Sequence, residues 1–220
     1  MLLPHLWQPG RAILYDAATW SDTSYDQASK DPAQNGPAPS ISSTFYDRIT
    51  KLDWLLHKKI CKTFTTLPSR PSPSHKLAIF FPVDSKDPQL IWIKCERRVD
   101  DEDGIAWEKA DTQHLLEIEN LDPKYQHARE YKHITRNVLR GFNLSYTVQV
   151  IVRETFLIDG STPNGCVQHT TKGQTIHDWR GPILVMRQPG TAIDPLFYKD
   201  ITAGDFRVAI DYFLSYGRDL

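Results

Sequence analysis

Short apolar runs bounded by turn residues recur along the chain and predict β-strands. In LSYTVQVIVRETFLID, the residues Tyr146, Val148, Val150 and Val152 occupy alternate positions, as they do in a strand with one buried face. The other runs are KLAIFFPV, QLIWIKCERRV, IAWEKAD and ILVMRQ. Only the turn sequence DSKDP separates KLAIFFPV from QLIWIKCERRV, so we expect these two runs to form an antiparallel pair.

Apolar residues three or four positions apart predict three helices. The first begins at Thr44 as its cap and carries an apolar stripe of Phe45, Ile49, Leu52, Leu56 and Ile60. The second begins at Asp122-Pro123 and ends near Arg140, because Pro favours the first helical position and Gly141 is suited to the C-terminal stop.

The third predicted helix belongs to a C-terminal unit that should form part of the core. Thr202 caps this helix, Asp205 follows three positions later, and Gly217 ends it after about Tyr216. Its buried stripe is Phe206, Ile210, Phe213 and Leu214. Burial of four such side chains stabilises a fold by roughly 6–12 kcal/mol before conformational entropy is subtracted.

The order of these elements predicts an α+β fold, with a mainly antiparallel sheet packed by about three helices. The strands cluster and do not alternate regularly with helices, which argues against a doubly wound parallel sheet. Residues 16–43 are rich in Ser, Asp, Pro, Gly and Ala, so they predict a flexible linker. We therefore divide the chain into an irregular N-terminal arm and linker, 1–43, and a single domain, 44–220.

Composition and charge narrow the class of protein. The chain has 220 residues, 40% of them hydrophobic and 24% charged, and a net charge of −1, so no global field favours nucleic acid or an anionic membrane. No apolar run reaches the ~18 residues of a membrane span, and the first ten residues do not have the pattern of a signal peptide. The three cysteines are widely spaced, which favours a soluble protein of the reducing cytoplasm or nucleus.

Most common catalytic and cofactor motifs are missing from the sequence. Cys166 and His169 form one Cys-x-x-His pair, but no second pair completes a zinc site, so we expect no metal and no cofactor. The acidic run 100–103 does not continue as a calcium loop, because Ala110 stands where the loop needs Glu. An enzyme would have to use scattered side chains in a pocket on the sheet, for which the candidates are Tyr146, His169 and His177.

The second predicted helix carries the most distinctive surface. At helical spacing, Tyr131, Ile134 and Val138 fall on one side, and the opposite side is basic. The basic residues are Arg129, Lys132, His133, Arg136 and Arg140. This face could bind an acidic protein partner or the phosphates of a nucleic acid. The alternative is a solvated face paired with the acidic turn at 100–103.

The stretch WRGPILVMRQPGTAIDPLFYKDITAGDFRVAIDYFLSYG resembles the C-terminal segment of a large, poorly characterised group of fungal proteins. Many members of that group also carry an N-terminal MYND-type zinc finger, whose cysteine array is absent from this chain. The resemblance implies a fungal intracellular protein with a role in protein interaction or regulation. Our leading hypothesis is a non-enzymatic binding module, with a small enzyme and a nucleic-acid-binding protein as the alternatives.

Overall fold

The computed structural model describes residues 58–60, 63–102, 104–125, 129–191 and 197–218. All of them belong to the compact unit Ser42–Leu220. The predicted domain boundary at residue 43, the predicted linker 16–43 and most of the first predicted helix lie outside the described residues. At the end of that helix, residues 58–60 are helical.

Six strands form one curled sheet in the order β3-β2-β1-β6-β5-β4, and every neighbouring pair is antiparallel. The strands are β1 His75–Phe81, β2 Gln89–Val99, β3 Ala106–Ala110, β4 Arg129–Asn137, β5 Phe142–Arg153 and β6 Ile183–Pro189. The predicted α+β class with an antiparallel sheet is confirmed. The expected pairing of KLAIFFPV with QLIWIKCERRV is confirmed as the β1–β2 pair, with His75 opposite Lys94.

Two α-helices lie after the fifth strand, namely α1 Gly165–Thr170 and α2 Ala203–Ser215. The second confirms the predicted C-terminal helix, and Thr202 and Asp205 form the reciprocal capping box that their spacing predicts. The short α1 was not predicted. Its N-terminus is fixed by Asn164, whose side-chain oxygen accepts a hydrogen bond from the Val167 N–H at 2.8 Å.

The predicted helix from Asp122 to Arg140 is wrong. Pro123–Tyr125 forms one turn of 3-10 helix, and Arg129–Asn137 is strand β4. The apolar residues of this segment do recur at helical spacing. However, β4 pairs with β5, from Arg129 opposite Arg153 to Asn137 opposite Phe142. Tertiary pairing of this kind overrides a weak local preference for helix. As a result, only Ile134 of the expected apolar side is buried, whereas Tyr131 and Val138 are 40% and 48% exposed.

The core has two layers, one on each face of the sheet. Helix α2 covers the first face, where the Phe206 and Phe213 rings lie 6.2 and 5.2 Å from the Phe81 ring. The second face is covered by Leu116, Ile118 and Tyr198, which pack with apolar residues of five strands. Because both faces of the central strands are covered, most residues of β1, β5 and β6 are buried.

No helix among the described residues has both the length and the apolar character needed to cross a membrane.

Candidate functional site

A cavity of about 170 Å³ lies where the end of β3 approaches the start of β4. Three cationic side chains line it, Lys94 from β2, Lys109 from β3 and Arg129 from β4. The remaining lining residues are Glu96, Ala110, Asp111, Thr112 and Gln113. The curl of the sheet creates this cavity, because β3 and β4 are at opposite ends of the strand order.

The register of the β2–β3 pair explains why charged side chains line the cavity. Glu96 lies opposite Lys109, and Cys95 lies opposite Ala110. Side chains alternate between the two faces of a strand, so the Cys95–Ala110 pair faces the core and the Glu96–Lys109 pair is exposed. Lys94 lies on the same face of β2 as Glu96, which adds a second exposed cation.

The cations of the cavity are not neutralised by its two carboxylates. Glu96 pairs with Arg98 at 2.6 Å, and Asp111 lies 3.7 Å from the His114 ring nitrogen. Neither Lys94 nor Lys109 forms an ion pair with a carboxylate of the described residues. Three cations against two carboxylates leave one net positive charge in the lining.

Arg129 is held in place by the segment that follows β3. Its Nη1 donates a hydrogen bond to Thr112 Oγ1 at 3.2 Å, and Thr112 is only 1% exposed. This contact orients the guanidinium before any ligand arrives. A fixed guanidinium beside two lysines is suited to a carboxylate or a phosphate, which Arg binds through paired N–H donors.

The side chains around the cavity do not include an activated nucleophile. Cys95 faces the core beneath it, and burial, followed by the nearby Glu108 charge, raises the Cys95 pKa to about 12. A thiol with this pKa is protonated at neutral pH, and the thiolate is the reactive form. Cys95 is therefore not an activated nucleophile, and the cationic lining supports the binding of an anion.

The five basic residues of the predicted helix do not share a face. Arg129 lines the cavity, whereas Lys132 is on the other face of β4, pairs with Glu130 and lies 5.2 Å from the centre of the Tyr216 ring. His133 Nε2 is 3.1 Å from Gln149 Nε2, and Arg136 is exposed. The expected single basic face is wrong together with the helix, because alternate side chains of a strand point to opposite sides.

Arg140 has a structural partner. Its Nε lies 2.9 Å from Asp211 Oδ2 of α2, and the Asp211 side chain is 1% exposed. The acid that pairs with this arginine is therefore a buried one and is not part of the acidic turn at 100–103. A role for Arg140 in binding a partner stays a prediction, and that role would compete with this ion pair.

The three side chains suggested for an enzyme pocket have separate surroundings. The Tyr146 ring lies 3.9 Å from the guanidinium carbon of Arg187, and burial raises the Tyr146 pKa. His169 is exposed near the end of α1. His177 packs against Trp179, at 4.8 Å between ring centres. The structure does not bring the three together, so the enzyme hypothesis lacks a common site at these residues.

His177 and Lys132 do meet in an aromatic cluster around Trp179. The Tyr216 ring centre is 4.8 Å from that of His177 and 5.2 Å from that of Trp179, and the same ring lies beneath Lys132. Burial lowers the His177 pKa, with a smaller lowering from Lys132 and opposing contributions from Asp178 and Glu130. A neutral imidazole suits this position because it packs its edge and face against other rings.

A zinc site at Cys166 and His169 gains no further ligand from the described residues, among which no three His, Cys, Asp or Glu side chains are grouped to hold a metal. Cys166 is completely buried, and burial raises its pKa to about 12. Zinc requires the thiolate, so this environment opposes the form that would bind. The absence of zinc from the purified protein stays a prediction.

Sequence reasoning missed two of the three cations of the cavity, Lys94 and Lys109. Their signal was the alternation of charged and apolar residues in QLIWIKCERRV and IAWEKAD, which predicts exposed charges. That alternation could not show that Arg129 lies beside them, because the contact depends on the curl of the sheet.

No family model matches the chain, and no curated protein or solved structure matches it either. The resemblance to the C-terminal segment of fungal proteins therefore stays a prediction. Function is inferred from the geometry of the cavity.

Proposed function

We propose that the chain is a non-enzymatic binding module that recognises an acidic group of a protein partner in the cavity lined by Lys94, Lys109 and Arg129. The group is a carboxylate or a phosphate. The observation that carries the proposal is the convergence of three cations, of which the two lysines have no carboxylate partner among the described residues. This proposal keeps the acidic partner expected from the sequence and moves the binding surface from a helix to the cavity.

The size and charge of the cavity support a small anionic group. A volume of about 170 Å³ accommodates one carboxylate or phosphate with its first waters but not a drug-sized molecule, whose pockets are ~300 Å³ or larger. Charge-assisted hydrogen bonds from Arg and Lys contribute about 1.5–3 kcal/mol each where they are shielded from water. An isolated anion should bind weakly here, and a partner that adds further contacts should bind more tightly.

The test is an NMR titration of the full chain with inorganic phosphate and, separately, with glutarate. We expect the backbone amide signals of Lys109–Gln113 and Arg129 to shift and saturate. Replacement of both lysines, Lys94→Gln with Lys109→Gln, should weaken the binding by at least about tenfold, because two charge-assisted contacts are lost.

Arg136→Gln is the matched control, because this exposed arginine is on the same strand as Arg129 but roughly 20 Å further along it. Its loss should leave the titration unchanged. Equal weakening by the control would indicate a general charge effect, and unchanged binding by the double lysine variant would contradict the proposed site.

A single-stranded oligonucleotide separates this proposal from the nucleic-acid alternative. If the phosphates of a nucleic acid were the natural ligand, the oligonucleotide would bind far more tightly than phosphate, and its affinity would fall steeply with salt. We expect instead that the oligonucleotide binds no more tightly than other polyanions of equal charge.

A further inference from the structure

The outer edge of β3 offers unpaired backbone groups beside the cavity. Among the described residues, β3 pairs only with β2 and forms one end of the sheet. Two hydrogen bonds show which residues of β3 direct their backbone groups toward β2. Asp100 N–H donates to Ile105 O, and Asp111 N–H donates to Lys94 O, each at 2.9 Å. In an antiparallel ladder, alternate residues direct their backbone groups to the same neighbour. Odd-numbered residues of β3 therefore face β2.

The backbone groups of Ala106, Glu108 and Ala110 face away from β2. Within the described part of the chain, none of them makes a backbone hydrogen bond on that side. An edge of this kind is a template for another strand, and proteins usually blunt it with a bulge, a proline or an unpaired inward charge.

β3 is only five residues long and carries the exposed Lys109, but it has no bulge, proline or unpaired inward charge. It contains no proline, and its register with β2 is unbroken over all five pairs, from Cys95 opposite Ala110 to Val99 opposite Ala106. The inward carboxylate of Glu108 is neutralised, because it lies 3.5 Å from Lys76 Nζ and accepts a hydrogen bond from Tyr198 N–H at 2.8 Å.

The other edge of the sheet is different. The register of β4 with β5 shifts between Ile134 and Arg136, which is a bulge or a related irregularity. A bulge twists an edge strand and interrupts the regular spacing that a new strand would need. Of the two sheet edges, β3 is therefore the better template.

The cavity lies at the end of the β3 edge, because Lys109 and Ala110 line it and Arg129 faces them across it. We infer that the partner is an extended peptide that adds to β3 as a further strand and places one acidic or phosphorylated side chain in the cavity. The inference rests on the proposed function. Main-chain hydrogen bonds to Ala106, Glu108 and Ala110 supply affinity, and the cations select the acidic side chain.

The probes are capped hexapeptides of alternating Thr and Val, each with a single Glu or phosphoserine at a different position. Hydrogen exchange of the full chain, followed by NMR, is measured with and without each peptide. With a peptide at about ten times its Kd, the amides of Ala106, Glu108 and Ala110 should exchange about tenfold more slowly, because they are free only in the unbound fraction. The Lys109 amide, which already faces β2, should change little.

Backbone methylation of the peptide tests the strand geometry directly. Two versions of the best peptide carry N-methyl groups on alternate residues, one set in each phase. Only one set of peptide N–H groups can face β3. One version should therefore lose binding and the other should keep it.

A protein variant gives independent evidence. Ala106→Pro removes an outward N–H that β2 does not use, and proline is tolerated at such edge positions. It should weaken the peptide but leave phosphate binding unchanged, whereas the control Ala106→Val should bind the peptide as the parent does. If Ala106→Pro fails to fold, the two methylated peptides still test whether the peptide adds to β3 as a strand.

The outcomes separate the two proposals. If phosphate and the acidic peptides bind but both methylated versions bind equally well, strand addition is wrong and the cavity remains an anion site. If phosphate binds and no peptide slows exchange at β3, the inference is also overturned. If neither phosphate nor any peptide binds, the proposed function fails as well.

Discussion

Asn164, Asp205 and Asp211 are polar side chains with at most 1% exposure, and each one joins segments that are distant in the chain. Asn164 Nδ2 donates to Phe81 O at 3.0 Å and to Gly181 O at 2.7 Å, which ties α1 to the ends of β1 and β6. Asp205 lies 3.5 Å from Arg187 of β6. Buried polar groups of this kind are costly unless they are paired, so at these sites a single residue fixes the position of a whole segment.

His177 should make stability depend on pH. Its folded-state pKa is lowered, mainly by burial, so below about pH 6.5 the unfolded chain binds a proton more readily than the folded chain does. The contribution of His177 to stability is therefore present above that pH and is lost as the pH falls through the folded-state pKa. Urea unfolding at pH 7, 6 and 5 should show a smaller loss for His177→Phe, which keeps an aromatic ring among Phe156, Trp179 and Tyr216, than for the parent chain. Parallel losses for the two proteins would contradict this assignment.

Between elements, the main polar link joins the β4–β5 turn to α2. Asp211 of α2 accepts a hydrogen bond from Asn137 Nδ2 at 2.9 Å and pairs with Arg140 at 2.9 Å and with Arg207 at 2.5 Å. Asn137 Oδ1 accepts from Arg140 N–H at 3.1 Å, so the same cluster also closes the turn. The helix and the hairpin are thus held by a buried carboxylate in addition to apolar packing.

Removal of this carboxylate should destabilise the fold strongly. Asp211→Ala removes the buried carboxylate that contacts Arg140, Arg207 and the Asn137 amide, and the loss of one partner of a buried ion pair costs about 3 kcal/mol or more. The control is Asp101→Ala, an exposed aspartate in the β2–β3 turn, which should change the free energy of unfolding by less than about 0.5 kcal/mol. Both values are measured by urea denaturation, and similar losses in the two variants would show that the cluster adds little.

At the scale of the described fold, the stability of the sheet depends on apolar side chains that pack against both of its faces. Helix α2 supplies Phe206, Ile210 and Phe213 to one face, and each is at most 1% exposed. The other face is covered by Leu116, Ile118 and Tyr198. Central strands that are apolar on both sides cannot leave either face in water, so the layers should form cooperatively.

A chain shortened to end after Asp200 should therefore fail to fold cooperatively. It loses six buried hydrophobic side chains of the described residues. The three largest of them, Phe206, Ile210 and Phe213, are worth about 1.5–3 kcal/mol each, which is already comparable with the total stability of about 5–15 kcal/mol of a typical domain. The control chain ends after Gly217 and keeps all of α2. Near-ultraviolet circular dichroism and thermal unfolding should show a sharp transition for the control only. A sharp transition in the shorter chain would mean that α2 is dispensable for the core.

The sequence by itself determined most of the elements. Five strands and helix α2 were predicted from apolar alternation, turn residues and the Thr202–Asp205 cap, because each of these signals is local to its own segment. The antiparallel α+β class followed from the order of those segments. The six-residue α1 was not predicted, since it is too short to show helical periodicity and depends on the Asn164 cap.

The tertiary structure alone decided β4 and the candidate site. Arg129–Asn137 carries apolar residues at helical spacing, but it pairs with β5 as an edge strand. A local sequence pattern cannot show that a neighbouring strand is present. The same is true of the cavity. Lys94, Lys109 and Arg129 are exposed charges in the sequence pattern, and they become neighbours only because the sheet curls until the ends of its strand order approach each other.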